Sequence, residues 1–99
     1  MQQGGHVYIL SNADHSMLYV GATSSLGYRV EQHLKKVQPE SFTARYDCNR
    51  LVYYKHYSHL DEAKAEEKRI KELDKEQKAA LVTAANADWK DLLPEADML

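Results

Sequence analysis

The spacing of apolar and polar residues predicts most of the elements of this chain. Val7-Tyr8-Ile9-Leu10 is a run of β-branched and aromatic residues ended by Ser11-Asn12, and Met17-Leu18-Tyr19-Val20 is a second run ended by Gly21; both read as strands. Asn12-Ala13-Asp14-His15 between them is turn chemistry. A four-residue loop there sets Tyr8 opposite Tyr19, Ile9 opposite Leu18 and Val7 opposite Val20. Successive side chains of a strand point to opposite faces, so the two tyrosines then share one face and the aliphatic residues the other.

Thr23-Ser24-Ser25 supplies N-cap residues. Leu26, Val30, His33, Leu34 and Val37 follow at helical spacing, with Arg29 at the edge of the stripe and Pro39 as a stop. Residues 38–50 read as a polar connection carrying Phe42, Arg45, Tyr46 and Arg50, and Leu51 to Tyr57 is the clearest strand of the chain. Ser58 with Asp61 has the form of a capping box, opening a helix whose apolar face is Leu60, Ala63, Ile70 and Leu73. Asp74 with Gln77 repeats the pattern and starts a third helix, with Ala80, Leu81, Ala84 and Ala85 inward and Asn86 at its end. Trp89, Leu92 and Leu93 are predicted to fold back as an apolar clasp. The order is β-β-α-β-α-α, a small sheet covered by helices, hence an α/β (α+β) fold. No stretch has the form of a phosphate-binding P-loop or a dinucleotide fingerprint.

Composition narrows the function classes. With 99 residues, 43% of them hydrophobic, the chain is predicted to form one domain over 1–99. A domain of this size buries roughly 60–70% of its unfolded surface and can hold a core without staples. Cys48 stands alone, which excludes an internal disulfide and suggests a reducing compartment. His56 and His59, the nearest histidines, are not at zinc-ligand spacing from it. No apolar run approaches membrane-spanning length and the first residues lack the pattern of a signal peptide, so a soluble, cytoplasmic protein is expected. A net charge of −2 argues against a general nucleic-acid coat; a nucleic-acid partner requires positive charge gathered locally.

Such a gathering exists. Lys64, Lys68, Lys71, Lys75 and Lys78 recur at spacings of four and three and line one side if the helix is near-continuous. Ala63 and Ile70 mark its buried direction, flanked almost symmetrically by Glu66 and Glu67. Periodicity does not choose between the two carboxylates. Glu67 lies about 60° from the lysine stripe and Glu66 on the far side. A carboxylate that meets both a metal and a phosphate belongs beside the cations, which favours Glu67. Each signal also has an ordinary reading: Glu67 and Lys71 as i, i+4 partners, the tyrosines as good strand residues, Arg29 as a surface side chain and His33 as a core histidine.

Together these residues resemble the GIY-YIG nuclease superfamily, in its small single-domain bacterial branch. His6-Val7-Tyr8 stands where the first motif belongs and Tyr19-Val20-Gly21 where the second does. Ala22 to His33, with Arg29 and His33, is similar to the helix that follows. Phe42 to Tyr46, Leu51 to Tyr54, Ala63 to Lys68 and Asn86 to Leu92 extend the likeness over most of the chain. The resemblance implies a three-stranded antiparallel sheet flanked by helices and metal-dependent hydrolysis of DNA phosphodiesters. It implies Tyr8 as general base, Tyr19 as its neighbour at the scissile phosphate, Arg29 as phosphate clamp and His33 as an accessory residue. It gives Glu67 as ligand of one divalent ion, magnesium or manganese. Arg45, Lys64, Lys68, Lys71 and Asn86 are carried as DNA contacts, with a protein partner as a source of specificity. Tyr8, Tyr19, Arg29 and Glu67 are expected to meet in one cleft on one side of the sheet, with Arg29 and the metal favouring the Tyr8 phenolate. The alternative is a nucleic-acid-binding module of the same fold without useful turnover. His6 in place of the first glycine and Gly27-Tyr28 where basic residues are common are departures from the family pattern.

Overall fold

The structure, a computed structural model, describes residues 4–34 and 41–96; the side chains of His33, Leu34 and Ala96 fall outside the description, as do Val37 and Pro39 altogether. Three strands form one antiparallel sheet: β1 (Gly5–Ser11), β2 (Leu18–Thr23) and β3 (Arg50–Tyr57), in the order β2-β1-β3. Helices α1 (Leu26–Leu34), α2 (Phe42–Arg45), α3 (Leu60–Lys71), α4 (Lys75–Ala85) and α5 (Leu93–Ala96) flank it. Strand β1 is central and covered on both faces. Its residues Val7 to Ser11 are therefore all buried, which is why it reads as a continuous apolar run.

Each face of the sheet has its own core. Val7, Ile9, Val20, Val52 and Tyr53 pack with Ile70 of α3 and Val82 of α4. Tyr8, Leu10 and Leu51 pack with Leu26 and Val30 of α1 and with Cys48. Cys48 is a free thiol in a connection, as expected, but a buried one, and burial pushes its pKa up. Such a thiol is inert.

The hairpin register differs from the expected one by two residues. Tyr8 pairs with Gly21, Ile9 with Val20 and Leu10 with Tyr19. The loop is longer than the four residues foreseen, running from Asn12 to Met17, because Asn12 and Asp14 organise it: Asn12 Oδ1 accepts from the Met17 N–H at 3.0 Å and Asp14 Oδ1 from the Ser16 N–H at 3.1 Å. A shift of two preserves the face of every side chain, so Tyr8 and Tyr19 still share a face, now diagonally.

Other differences are local. The connection before β3 contains α2, capped by Ser41 Oγ accepting from the Ala44 N–H. Helix α3 begins one residue later than expected: the cap is His59, whose N–H donates to the Glu62 carboxylate at 3.1 Å, and the Ser58/Asp61 pairing does not form. The Asp74/Gln77 capping box forms as expected. By starting α4 afresh it breaks the near-continuous helix on which the lysine stripe depended, so Lys75 and Lys78 lie on a second axis. In α4 the buried residue is Val82, with Leu81 half-buried, while Ala80, Ala84 and Ala85 are exposed. An alanine-rich run carries too weak a stripe to show which side is inward.

The clasp forms. Trp89 packs against one core, Leu92 and Leu93 against the other, and the Leu92 N–H donates to the Leu51 carbonyl at 2.7 Å. Asn86 anchors it. Its Nδ2 donates to the carbonyls of Val52 (3.0 Å) and Lys90 (2.9 Å), and its Oδ1 accepts from the Lys90 N–H (3.1 Å). Val52 sits at the bulge where the β1–β3 register slips, so that Val52 and Tyr53 both face the α3 side.

Candidate active site

The tyrosine face of the sheet gathers three of the predicted residues at the β2 edge. Tyr8 rises from the central strand and lies across Gly21, its partner on β2. A Cβ at Gly21 would collide with the Tyr8 ring and hydroxyl; only a glycine leaves room for the phenol to cross the edge strand. Tyr19 stands diagonally opposite, with ring centroids 6.3 Å apart at 42°. Arg29 projects from α1, held in place because Leu26 and Val30 of the same helix are buried beneath it. Its guanidinium hydrogen-bonds to the Tyr8 hydroxyl, and its Nη1 donates to Gln32 Oε1 at 3.2 Å.

Glu67 arrives from the other layer. Helix α3 packs on the aliphatic face through Ala63 and Ile70, so the expectation of one cleft on one side of the sheet needs correction. What brings Glu67 near is that β2 is an edge strand. Lys71, its ion-pair partner at 2.9 Å, lines a groove with Leu18, Tyr19 and Val20, which places this turn of α3 along that edge. From there the Glu67 charge acts on the Tyr8 phenol. Glu66, on the other flank of the buried stripe, turns toward β3: it pairs with Arg69, at 2.8 Å from Arg69 Nη2, and hydrogen-bonds with Tyr57. Periodicity leaves the two carboxylates equivalent, and the sheet separates them.

Burial sets the Tyr8 phenol against the influence of Arg29. Tyr8 is 1% exposed, and burial pushes its pKa up to about 12. The neighbouring Tyr19 adds to this, the Arg29 hydrogen bond and charge oppose it, and Glu67 raises it slightly further. Arg29 favours the phenolate as expected, but desolvation outweighs it.

The remaining predicted residues divide. Arg45, Lys64, Lys68 and Lys71 are exposed. Asn86 is buried and its amide is committed to the clasp. His33 is in the last turn of α1, and its side chain lies outside the described residues. Sequence reasoning read Gly21 as the end of the second strand and Lys78 as one of a stripe; in the structure β2 runs on to Thr23, with Gly21 as the space for the Tyr8 ring, and Lys78 joins Lys71 in an edge groove of about 230 Å³. A larger cleft, about 530 Å³, lies at the opposite edge between β3 and the clasp, away from the tyrosine pair.

The family model for the GIY-YIG catalytic domain matches residues 4–80. The chain belongs to the GIY-YIG family. No curated protein and no solved structure matches it. GIY-YIG domains have a nuclease-type fold, and the family's members are in general endonucleases that depend on a divalent metal. Among the described residues no three acidic, histidine or cysteine side chains cluster as a metal cage, and no helix is long and apolar enough to cross a membrane.

Proposed function

We propose that this GIY-YIG protein is a metal-dependent endonuclease that hydrolyses DNA phosphodiester bonds at the β2 edge. What supports this reading is the Tyr8 phenol lying over Gly21, hydrogen-bonded to the Arg29 guanidinium, with the Glu67 charge close enough to act on it. Tyr8 acts as the phenolate, its own proton having gone to solvent; water attacks phosphorus and gives a proton to that phenolate, the P–O bond on the far side breaks, and the leaving oxygen takes a proton from solvent. Arg29 holds a non-bridging oxygen, where a planar, permanently charged guanidinium suits a phosphate. Tyr19 lines the approach beside Tyr8.

The donor present fits a hard cation: it is the Glu67 carboxylate, and magnesium takes one or two protein carboxylates and completes its shell with water and phosphate oxygens. Glu67 would hold the ion, magnesium or manganese, releasing Lys71 to do so. The ion supplies Lewis-acid charge. The Tyr8 pKa of about 12 makes that charge necessary to the mechanism, since a phenol so placed is no base near neutral pH. The same observation favours the second reading, a binding module without turnover.

A cleavage assay with and without magnesium, over single-stranded, duplex and branched DNA, separates the two. Glu67→Gln should abolish metal-dependent cleavage while folding and metal-free DNA binding persist, and Glu66→Gln, on the β3 side, should cleave normally. Equal cleavage by the two variants overturns the assignment of Glu67, and no cleavage by the wild type on any substrate leaves the binding module as the answer.

A further inference from the structure

A continuous aromatic path leads out of the tyrosine pair. Tyr19 is followed by Phe42 of α2 with ring centroids 6.1 Å apart, and Phe42 by Tyr46 at 4.8 Å. The Arg45 guanidinium carbon then stands 5.8 Å from the centre of the Tyr46 ring. Tyr19 is half-buried, and the outer two rings are open. Phe42 is 39% and Tyr46 42% exposed, and among the described residues Tyr28 is the other large hydrophobic side chain with such exposure. The groove of about 230 Å³ runs beside the path, with Lys71 and Lys78 on its rim and Tyr19 and Phe42 in its wall. It is smaller than the roughly 300–1,000 Å³ of a typical small-molecule site.

Aromatic faces interleaved with cations suit one occupant in particular. A duplex presents its phosphates outward and keeps its base faces stacked inside, so it satisfies the cations and leaves the rings uncovered. An unpaired strand offers both: its bases stack on exposed rings, and its phosphates follow the positive charge. The chain as a whole is acidic, so the cations of this edge stand out against a net charge of −2. Lys71 already pairs with Glu67 and can exchange that partner for a phosphate; a protein partner would have to bring carboxylates for Arg45 and Lys78, and nothing about the ring geometry calls for one.

We propose that the path Tyr19–Phe42–Tyr46, flanked by Arg45, Lys71 and Lys78, is a stacking platform that holds an unpaired strand of nucleic acid beside the tyrosine pair. The substrate class is then DNA with a single-stranded or frayed segment next to the scissile phosphate. The position of that phosphate rests on the nuclease reading; the platform itself does not.

The test measures binding with the metal chelated, so that cleavage plays no part. Fluorescence anisotropy compares a short oligo(dT), an oligo(U) and a blunt DNA duplex of the same length, with the wild type and with Phe42→Leu, Tyr46→Leu and Lys78→Gln. Leucine keeps the apolar volume of an exposed position and removes the π face, and circular dichroism checks that each variant is folded. The wild type should bind oligo(dT) more tightly than the duplex. Each aromatic variant should lose roughly tenfold in oligo(dT) affinity with duplex binding unchanged. Lys78→Gln should weaken both and flatten the salt dependence. Weaker oligo(U) than oligo(dT) binding assigns the site to DNA, and equal binding assigns it to single strands of either kind. Preference for the duplex, binding of neither, or aromatic variants that bind like the wild type overturn the platform; a protein partner then becomes the occupant to seek. If oligo(dT) binds as expected but magnesium yields no cleavage of any substrate, the platform stands and the nuclease reading falls.

Discussion

Gly21 and Tyr8 show how two residues set the chemistry of this edge. The glycine supplies empty space rather than an unusual backbone conformation, since none of the described glycines has positive φ. Alanine inside a strand ordinarily stabilises relative to glycine. Gly21→Ala should do the opposite, costing about 1–3 kcal/mol by overpacking against the Tyr8 ring, as read by chemical denaturation. A stabilised variant would show that Tyr8 moves aside freely. Tyr8 itself makes a prediction at high pH. Its folded pKa, about 12, is above the ordinary value of 10, so the folded state holds the proton more tightly than the unfolded one. Its contribution is intact below about pH 10 and is lost as pH rises toward 12, on the order of 2–3 kcal/mol across that window. Tyr53, Tyr54 and Tyr57, also raised by burial, add to the alkaline loss. The discriminating measurement is therefore a difference. Wild type and Tyr8→Phe, compared by thermal melting from neutral pH upward, should keep a constant gap to about pH 10 and converge above it, and a gap that stays constant to pH 12 refutes the buried phenol.

At the scale of elements, the C-terminal clasp holds β3 in place. β3 is an edge strand, and an uncovered edge invites pairing with other chains. Asp91 Oδ1 accepts from the Leu51 N–H at 3.2 Å, the Leu92 N–H reaches the Leu51 carbonyl, and Tyr54 donates to Glu95 at 2.9 Å. Asn86 ties this segment back to the bulge at Val52. Asn86→Ala removes three hydrogen bonds and leaves buried backbone groups unmet, a loss of about 1–3 kcal/mol or more. Hydrogen exchange at Leu51 and Leu92 should speed up in this variant, while Val20, on β2 at the far edge of the sheet, keeps its protection. The break between α3 and α4 has a consequence of its own. It divides the lysines between two axes and turns Lys71 and Lys78 toward one groove, where a straight helix would have spread them along a line.

For the whole molecule, an acidic protein binding a polyanion must rely on a few cations at one edge. Phosphate contacts release counterions, so affinity for DNA should fall steeply with added salt and be weak at physiological ionic strength. A salt titration with a flat response removes the β2 edge as the contact surface. The sequence by itself determined the three strands, the main helices, the two faces of the sheet and the shortlist of Tyr8, Tyr19, Arg29 and Glu67. Periods of two and 3.6 residues and local capping chemistry are carried by neighbours along the chain, and the motif spacing resembled one family as a whole. Tertiary structure decided what depends on distant residues meeting. The strand register followed from how Asn12 and Asp14 close the loop. The different surroundings of Glu66 and Glu67 followed from which strand each flank of α3 meets, and the inward side of α4 from packing that alanines do not advertise. Asn86 became an internal tether because the bulge at Val52 comes to it from 34 residues away. The Tyr8 pKa rose because burial, a property of the assembled layers, outweighs the single arginine beside it.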